Sequence, residues 1–434
     1  MIFFRVSQNI NIKITDGALV VYKKFKTPSD LENETVYITT QNDFNDLKEV
    51  FSRVDKNKYQ TRIIKEDNVR KLTSFPIELG INNKNEYMKC IEYTKNIQNN
   101  IYINKEEIIP LLDDSKEVDL YKQLLLKKDE VSIAIIGGLG KSISQIVSSS
   151  SALRILYEKL IKLYKNVKID LYIESSNNTF YSRDKQLYLT QEFINSVLPL
   201  SITSKKLCEY DYFIDNSSVL EKSSYFNDLN NVDAWLYKFG IDYKNIASTS
   251  KYNKLNIDKM NVSKSLTESI NLLKNKGKIL LFHPFSASVE KTIPQDIASS
   301  LLSKMLSKFD DYSIVSTLNI DSKIVDDRYV NLTKESKTIN EFLYIISQVD
   351  FIITTDTSTF HISDAFMIPT IVLSSDKDID KKVKYYDLVK VIKIDDESKS
   401  LSKFIYESEA LTLYKFKSWK KLKLSKIIKL LDTF

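Results

Sequence analysis

Cysteines and long apolar runs are both scarce in this chain of 434 residues. The two cysteines, Cys90 and Cys208, are too few for a disulfide framework or a cysteine-based metal cluster. No apolar run approaches the roughly 18 residues that a membrane-spanning helix needs. The residues after Met1 soon turn polar, unlike a secretory signal. The sequence therefore predicts a protein of a reducing compartment, the cytoplasm.

Glycine and histidine are scarce too, so their positions are informative. The chain has seven glycines, where average usage would give about 30. Three of them stand together at Gly137, Gly138 and Gly140. The two histidines, His283 and His361, both fall close to the ends of predicted strands.

The excess of positive charge is small. A net charge of +6 on a chain with 28% charged residues fits an anionic ligand or membrane headgroups. It is too weak to indicate nucleic acid, so no nucleic-acid partner is expected.

Residues 349–373 have the pattern of a strand, a polar turn, a short helix and a second strand. The run from Phe351 to Thr355 is apolar and β-branched, which is typical of a strand buried on both faces. Turn and N-cap formers follow from Asp356 to Thr359, and His361 lies one turn into the predicted helix. Because a helix N-terminus at the carboxyl end of a parallel strand attracts anions, this pattern predicts an anion site.

A second strand-end loop has a similar character. Lys278 to His283 is predicted to be a strand, and the loop after it carries Ser286, Ser288 and Lys291. The serine hydroxyls can donate hydrogen bonds to phosphate oxygens, and the lysine can neutralise a diphosphate as a point charge. Two donor-rich loops in one domain favour a nucleotide diphosphate as the ligand.

The three clustered glycines lie in a strand–turn–helix pattern. Val131 to Ile136 predicts a strand, Gly137 to Ser142 a tight turn, and Ile143 to Leu163 a long helix. In one interpretation, Gly137–Ser142 is the phosphate-binding loop of a P-loop-like ATPase, although the first glycine of the standard pattern would fall at Ile135. In the other, the turn is one wall of a cleft, kept small so that a substrate can approach its backbone.

Strands and helices alternate from residue 131 onwards, which predicts parallel sheets with right-handed crossovers. The predicted class is α/β, with two facing doubly wound Rossmann-like domains (residues 126–255 and 256–434) and a small N-terminal α+β domain (residues 1–125). The polar residues 241–277 are predicted to link the two halves. Further elements are predicted at Val167–Ile173, Tyr210–Asp215, Tyr312–Thr317 and Tyr385–Ile394 (strands), and at Tyr225–Phe239, Asp296–Phe309 and Ile339–Ser347 (helices).

From about residue 131 to 430 the chain resembles the bacterial heptosyltransferase family, glycosyltransferase family 9, which has the two-domain GT-B fold. Four features carry the resemblance, in the order found in the family. They are the turn Gly137-Gly138-Leu139-Gly140-Lys141 (Gly-Leu-Gly-Asp in the family), the strand Tyr210–Asp215 with Asn231–Asp233 and Phe239-Gly240 after it, the loop His283–Pro294, and the turn Asp356-Thr357-Ser358 with His361 (Asp-Thr-Gly-x-x-His in the family).

The resemblance implies a GT-B-like fold and an inverting transfer of a sugar, typically a heptose, from a nucleotide diphosphate sugar to a hydroxyl of a glycan, lipid or protein acceptor. It implies no metal or other cofactor. The C-terminal Rossmann-like domain would bind the donor, and the N-terminal one, with Gly137, Gly138 and Gly140, would face the acceptor. The donor-binding residues implied are Ser286, Ser288, Lys291, Asp356, Thr357, Ser358 and His361.

Two residues depart from the family pattern. Ser358 replaces a glycine, and Lys141 replaces the aspartate thought to act as the general base. An ammonium cannot accept the proton of the attacking hydroxyl unless its pKa is strongly depressed. With Lys141 at the catalytic position, Asp215 is the predicted base, and Glu174 and Asp211 are further candidates. The alternative is a catalytically silent GT-B-like adaptor or binding scaffold.

The C-terminal residues 413–434 carry seven lysines before Asp432. Trp419 and Ile427 are among the apolar residues that could share one face of a helix. One interpretation is a terminal helix packed on the body of the protein, with its lysines in solvent. The other is peripheral contact of Leu413–Leu431 with an anionic membrane on its inner, cytoplasmic face.

Overall fold

The structure is a computed structural model that divides into two compact units, unit 1 (Met1–Ala247) and unit 2 (Ser248–Phe434). It describes residues 1–7, 11–15, 18–22, 36–55, 60–71, 74–81, 119–174, 178–200, 202–217, 223, 225–288, 291–321, 323–395 and 418–434. Cys90 and the tail residues 413–417 lie outside this set. The predicted domain boundaries after residues 125 and 255 stay predictions.

Unit 1 contains an antiparallel sheet, a hairpin and a five-stranded parallel sheet. The antiparallel sheet has the strand order β10-β4-β1-β5, the hairpin is β2-β3, and the parallel sheet has the order β6-β11-β7-β8-β9. The strands are β1 (Ile2–Ser7), β2 (Asn11–Thr15), β3 (Ala18–Tyr22), β4 (Tyr37–Thr39), β5 (Gln60–Ile64), β6 (Ile77–Glu78), β7 (Glu130–Ile136), β8 (Asn166–Ile173), β9 (Ile194–Pro199), β10 (Ile202–Thr203) and β11 (Tyr212–Asp215).

The two sheets of unit 1 share a hydrophobic core. Phe3 and Ile38 of the antiparallel sheet pack in one cluster with Ile136 and Phe213 of the parallel sheet. The helices are α1 (Gln41–Asp55), α2 (Glu66–Val69), α3 (Leu120–Gln123), α4 (Ile143–Leu160), α5 (Tyr181–Leu189), α6 (Ser204–Leu207), α7 (Tyr225–Asp228) and α8 (Asn231–Lys238), with a 3₁₀ helix at Tyr243–Asn245.

Unit 2 is built on a six-stranded parallel sheet with the order β14-β13-β12-β15-β16-β17. Its strands are β12 (Lys278–His283), β13 (Tyr312–Ser316), β14 (Tyr329–Asn331), β15 (Phe351–Thr355), β16 (Thr370–Ser374) and β17 (Val389–Lys393). A 3₁₀ helix at Ser248–Ser250 precedes α9 (Lys264–Lys276), α10 (Gln295–Leu306), α11 (Ile339–Gln348), α12 (Ser358–Ala365), α13 (Ile379–Lys382), α14 (Ser418–Lys421) and α15 (Leu424–Leu431).

The predicted α/β class with two Rossmann-like units is confirmed, since each unit holds a parallel sheet whose strand order changes direction. In unit 1, β8 and β9 lie on one side of β7 and β11 lies on the other. In unit 2, β13 and β14 lie on one side of β12, and β15 to β17 lie on the other. The crevice outside the carboxyl ends of the strands at such a switch point is where doubly wound sheets bind ligands.

Three predicted elements need correction. Residues 241–277 are not only a link, because Leu266, Ile270 and Leu273 form the buried face of α9. The helix predicted over Tyr225–Phe239 is two helices, since Asn230 caps the second one by accepting a hydrogen bond from Val232 N at 2.9 Å. The strand predicted over Tyr385–Ile394 spans only Val389–Lys393, because a turn precedes it.

The C-terminal tail packs on unit 2. Trp419, Leu424 and Ile427 are buried in the same hydrophobic core as strands β12 to β17. This agrees with a terminal helix packed on the body of the protein, and membrane contact through Leu413–Leu431 stays a prediction. Among the described helices, none combines the length and apolar character that crossing a lipid bilayer requires.

Candidate functional site

The predicted donor-binding residues of unit 2 follow strands that meet at the switch point of its sheet. Lys291 lies in the loop after β12, and Asp356 lies in the turn after β15, the neighbouring strand. Asp376 and Lys382 follow β16, the next strand along. Because all three strands are parallel, these side chains emerge at the same edge of the sheet.

Four of these side chains form one charge cluster. The Lys291 Nζ atom lies 3.0 Å from Asp356 Oδ2 and 3.5 Å from Asp376 Oδ2. The Lys382 Nζ atom lies 2.9 Å from Asp356 Oδ2 and 2.7 Å from Asp376 Oδ2. Both ammonium groups thus contact the same two oxygen atoms, and the formal charge of the four side chains is zero.

The ion pairs of the cluster favour the charged forms of Asp376 and Lys382. Burial alone would raise the pKa of the Asp376 carboxyl, but the hydrogen bond from Lys382 and the charges of both lysines hold that pKa well below its ordinary value. Burial alone would lower the pKa of Lys382, but Asp356 and Asp376 outweigh it and raise that pKa. Each partner therefore stabilises the charged form of the other.

The N-terminus of α12 lies beside this cluster. Thr357 is its N-cap, and its hydroxyl accepts a hydrogen bond from Thr359 N at 3.2 Å. Ser358 is the first helical residue and is half-buried. The Thr354 hydroxyl donates to the carbonyl of His283 at 3.0 Å and so ties the ends of β15 and β12 together.

His361 is a neutral imidazole next to the two lysines. Burial, followed by the charges of Lys382 and Lys291, lowers the pKa of His361 to about 3. The Nδ1 atom lies 2.6 Å from the hydroxyl oxygen of Tyr386. When Tyr386 donates its proton to Nδ1, the Nε2 atom carries the ring proton and can donate to an acceptor.

The loop with the two predicted serines is held by Thr292. The Thr292 hydroxyl accepts from Ser286 N at 2.9 Å and lies 3.0 Å from the carbonyl oxygens of Ser286 and Ser288. The Ser286 hydroxyl accepts from Ser288 N at 3.4 Å. This bonding fixes the backbone that leads to Lys291. The donor-binding role of the two serines stays a prediction.

In unit 1 the glycine turn is in close contact with other residues of the same unit. A Cβ atom on Gly137, which has φ +94°, would lie 2.9 Å from the main chain of Asn216 and Ser217, and one on Gly140 would lie 2.4 Å from Gln145 Cβ. A Cβ on Gly138 would lie 3.0 Å from the Tyr188 hydroxyl. Internal packing therefore accounts for the small residues, and their acceptor-side role stays a prediction.

Several main-chain N–H groups of the turn donate hydrogen bonds inside the protein. Leu139 N donates to the Tyr188 hydroxyl at 2.6 Å, and Lys141 N donates to Gln145 Oε1 at 2.9 Å. A phosphate-binding loop needs such N–H groups for the phosphate. This arrangement disfavours a P-loop-like ATPase that uses Gly137–Ser142.

The two predicted catalytic residues differ in their surroundings. Lys141 is exposed. One oxygen of Asp215 lies 3.2 Å from Met1 N, and the other accepts from Ser217 N at 2.9 Å. Burial would raise the pKa of Asp215, but the Met1 amino group and the hydrogen bonds from Ser217 lower it. A carboxylate with a lowered pKa is a weaker proton acceptor.

The structure separates the two further candidate bases. Glu174 follows β8 and lies at the carboxyl edge of the sheet, as does Asp215, the last residue of β11. Asp211 precedes β11 and accepts from Ser132 N at 2.8 Å, close to the start of β7. Asp211 therefore lies at the opposite edge of the sheet from the glycine turn, and this position disfavours it as the base.

A cavity of about 380 Å³ lies at the amino edge of the sheet of unit 2, and Asp364, Met367 and Asp387 are among its lining residues. Asp364 accepts a hydrogen bond from Asn253 N at 2.9 Å. Burial, followed by the charge of Asp387, raises the pKa of Asp364 to about 7. The charge cluster lies at the other edge, so the two features are separate.

Sequence reasoning missed Asp376, Lys382 and Tyr386. The available signal was the position of Asp376 shortly after β16, the strand that follows the Asp356 turn and α12. Lys382 and Tyr386 reach the site only through the short helix α13 and the turn after it, which no sequence pattern indicated. Throughout the part of the chain that the structure describes, no group of three or more His, Cys, Asp or Glu side chains could hold a metal ion.

Comparison with solved structures gives matches that include glycosyltransferases. The ADP-heptose LPS heptosyltransferase II of E. coli is 15% identical with a TM-score of 0.43, over 60% of this chain and 90% of that one. A glycosyl transferase family 9 protein from Veillonella parvula is 11% identical with a TM-score of 0.48, over 71% and 98%. The E. coli heptosyltransferase WaaC with ADP-2-deoxy-2-fluoro heptose is 10% identical with a TM-score of 0.40, over 60% and 92%.

The family that the sequence motifs resemble is thus represented among the matched solved structures. No family model and no curated protein matches the chain.

Proposed function

We propose that this chain is a glycosyltransferase that moves a sugar, a heptose or a related one, from a nucleotide diphosphate sugar to a hydroxyl of a glycan, lipid or protein acceptor. The observation that carries the proposal is the convergence of Lys291, Lys382 and the N-terminus of α12 at the switch point of the sheet of unit 2. These groups place two ammonium groups and a helix N-terminus, all able to contact an anion, at the crevice where a doubly wound sheet binds its ligand.

In this reaction the bond between the anomeric carbon and the diphosphate oxygen breaks as the acceptor oxygen attacks from the opposite face. Negative charge then builds up on the leaving diphosphate. The ammonium groups of Lys291 and Lys382 stabilise that charge because they are already held in place by Asp356. We propose that the neutral His361 donates a hydrogen bond through Nε2 to the bound nucleotide sugar. The donor site is completed by Ser286, Ser288, Thr357 and Ser358.

We propose that unit 1 binds the acceptor and supplies the base. Asp215 and Glu174 both lie at the carboxyl edge, beside the glycine turn. Asp215 is the proposed base, and acceptor binding has to release it from Met1 N or Ser217 before it can take a proton. Asp215→Asn should lower the rate of transfer by about 100-fold and leave donor binding unchanged. If transfer is lost in Glu174→Gln and kept in Asp215→Asn, Glu174 is the base instead.

A second candidate function is donor binding without transfer. The observations in its favour are Lys141 at the position of the family's aspartate and the engagement of both Asp215 oxygens within unit 1. This candidate predicts that a nucleotide sugar binds and is not turned over with any acceptor.

The proposal is tested by thermal unfolding with a panel of nucleotide diphosphate sugars in EDTA, and with ATP in the presence and absence of magnesium. A ligand at 100 times its Kd should stabilise the protein by about 2.7 kcal/mol. We expect this shift with at least one nucleotide sugar, and its loss in Lys291→Ala and Asp356→Ala. Lys274→Ala is the matched control, since Lys274 is an exposed lysine of unit 2 before β12. A shift only with magnesium and ATP would refute the proposal.

We further propose a cytoplasmic protein whose tail lysines contact anionic lipid. The apolar side chains of Trp419 and Ile427 are buried, so contact would have to use the exposed lysines Lys420 and Lys426 and not an apolar face. Co-sedimentation with vesicles that contain phosphatidylserine should occur at low salt and disappear near 0.5 M salt. Equal sedimentation with neutral vesicles would argue against this contact.

A further inference from the structure

The charge cluster of unit 2 contains two residues that the donor motifs do not explain. Asp376 and Lys382 lie after β16, outside the loops that carry Lys291 and Asp356. Yet Lys382 Nζ is as close to the cluster's carboxylates as Lys291 Nζ is, at 2.9 Å from Asp356 and 2.7 Å from Asp376. Lys382 therefore supplies half of the positive charge at the switch point.

The two carboxylates of the cluster differ in their exposure. The Asp356 side chain is 5% exposed and that of Asp376 is 19% exposed. Asp356 belongs to the turn between β15 and α12 and is enclosed there. Asp376 lies on the loop after β16, where its other oxygen accepts from Asp378 N at 2.9 Å. Of the two carboxylates, Asp376 is the one that a ligand from solvent can replace.

The charge count favours a replacement. With both carboxylates in contact, the two lysines are fully neutralised and attract a diphosphate only weakly. Once the Asp376 carboxylate moves away, Lys291, Lys382 and Asp356 leave a net charge of +1 in a partly buried site. Phosphate oxygens can then take the contacts that the Asp376 oxygen made with both ammonium groups.

We propose that Lys382 is a second cation for the donor's diphosphate, and that Asp376 occupies the anion site until the diphosphate displaces it. This inference rests on the proposed function, because it assigns the diphosphate as the ligand. It gives Asp376 a role in setting affinity, since the carboxylate competes with the donor for the same two lysines.

The test is calorimetric titration of inorganic pyrophosphate, in EDTA at pH 7.5, into wild-type protein and single variants. Asp376→Asn keeps the shape of the side chain and removes its charge, so it should bind pyrophosphate about tenfold more tightly. Lys382→Ala should bind it about tenfold more weakly, and the control Lys274→Ala should bind it as the wild type does. Lys382→Gln, which keeps most of the side chain, guards against misfolding of the alanine variant.

A purely structural role for Asp376 makes a different prediction. Loss of its two ion pairs should lower the midpoint of urea unfolding of unit 2, and a structural role would weaken pyrophosphate binding at the same time. Our inference requires a lower midpoint together with tighter binding. Unchanged or weaker binding in Asp376→Asn, unchanged binding in Lys382→Ala, or no pyrophosphate binding in any of these proteins would overturn it.

The inference and the proposed function can fail separately. If pyrophosphate binds with the expected variant effects but no nucleotide sugar binds, the proposed glycosyltransferase function is refuted, and the anion site formed by Lys291 and Lys382 is retained. A nucleotide sugar that binds with one affinity to the wild type, Asp376→Asn and Lys382→Ala would remove the inference and leave the proposed function.

Discussion

The two parallel sheets have the same kind of switch point but different chemistry at it. In unit 1, Gly137 after β7 packs on Asn216 and Ser217 after β11, and the carboxylate of Asp215 is bonded within the unit. In unit 2, the corresponding position holds two lysines and two aspartates, and of these four side chains only Asp356 is enclosed. One edge is closed by backbone packing and the other is charged.

This difference shows what topology decides and what it leaves open. The strand order places a crevice at the carboxyl edge of each sheet, but the side chains determine which ligand can bind there. We expect unit 2 to provide most of the donor affinity, since it holds the charges. In unit 1 we expect substitutions in the glycine turn to act mainly through stability.

The two units can be followed separately because each holds one of the two tryptophans. Trp235 is buried in unit 1 and Trp419 is buried in unit 2. Within the described residues neither indole N–H has a hydrogen-bond partner, so replacement by phenylalanine costs no hydrogen bond. Trp419→Phe leaves a reporter of unit 1, and Trp235→Phe leaves a reporter of unit 2.

The largest expected effect is a loss of stability of unit 2 in mild acid. Both histidines are in unit 2, and burial lowers the pKa of His283 to about 4 and, with the charges of Lys382 and Lys291, that of His361 to about 3. Below about pH 6.5 the unfolded chain binds a proton at each histidine and the folded chain does not. The free energy of unfolding of unit 2 is therefore unaffected by the histidines above pH 6.5. Below that pH it decreases, and at pH 5 it is lower by about 2 kcal/mol for each histidine.

Urea unfolding followed by Trp419 fluorescence at pH 7 and pH 5 measures this loss. Unit 1 has no histidine. Despite burial, hydrogen bonds lower the pKa values of its Asp170 and Asp211, so its loss should begin only below about pH 4. Equal losses in the two units between pH 7 and pH 5 would contradict the comparison. The Asp364→Asn protein gives the cleaner measurement, because Asp364 titrates in the opposite sense.

The second effect concerns the closed edge of unit 1. Gly137→Ala should destabilise the unit by about 3 kcal/mol, because it combines a positive φ with a Cβ that collides with the main chain of Asn216 and Ser217. Gly138→Ala is the matched control and should cost about 1 kcal/mol, since its Cβ comes close to the Tyr188 hydroxyl, at 3.0 Å, and lies at ordinary contact distances from Gly140 and Ile173. Trp235 fluorescence in urea measures both. Normal stability with lost turnover in Gly137→Ala would mean that the turn is open to a substrate.

The third effect is stabilising. The pKa of Asp364 is raised to about 7 by burial and by Asp387, so folding is penalised once this group ionises. The penalty is full above about pH 7 and absent below about pH 4. Asp364→Asn should therefore stabilise unit 2 by about 2 kcal/mol already at pH 5.5 and have little effect at pH 4. An asparagine can still accept the hydrogen bond from Asn253 N. The same stability change at both pH values would refute this assignment.

Much of the parallel framework could be predicted from the sequence. Lys278–His283 and Phe351–Thr355 are strands with the predicted bounds, because unbroken apolar and β-branched runs are strong signals in buried parallel sheets. The predicted anion site at the turn after Phe351–Thr355 also coincides with the charge cluster. These features depend on residues that are neighbours in the sequence, so the sequence alone is enough to predict them.

Features that depend on distant pairing could not be predicted. Ile202–Thr203 completes the N-terminal sheet by pairing with Tyr37–Thr39, more than 160 positions earlier. Lys382 contacts Asp356 from 26 positions later in the chain, with α12 and β16 between them. Whether the glycine turn is open to a substrate depends on the side chains around it. Two of these, Gln145 and Tyr188, come from two different helices, so the sequence alone could not show that they fill the space.

The smallest effect is expected at Lys141, and it bears on the base. Lys141 is exposed, so Lys141→Ala should change the stability of unit 1 by less than about 0.5 kcal/mol. A lysine ammonium keeps its proton near neutral pH and cannot accept another, so the variant should also keep its rate of transfer within about twofold. Asp215→Asn should lose most of that rate. A loss in Lys141→Ala as large as that in Asp215→Asn would show that the lysine takes part in catalysis. The glycine turn of unit 1 would then be a working part of the site, and the contrast between a closed and a charged edge would no longer hold.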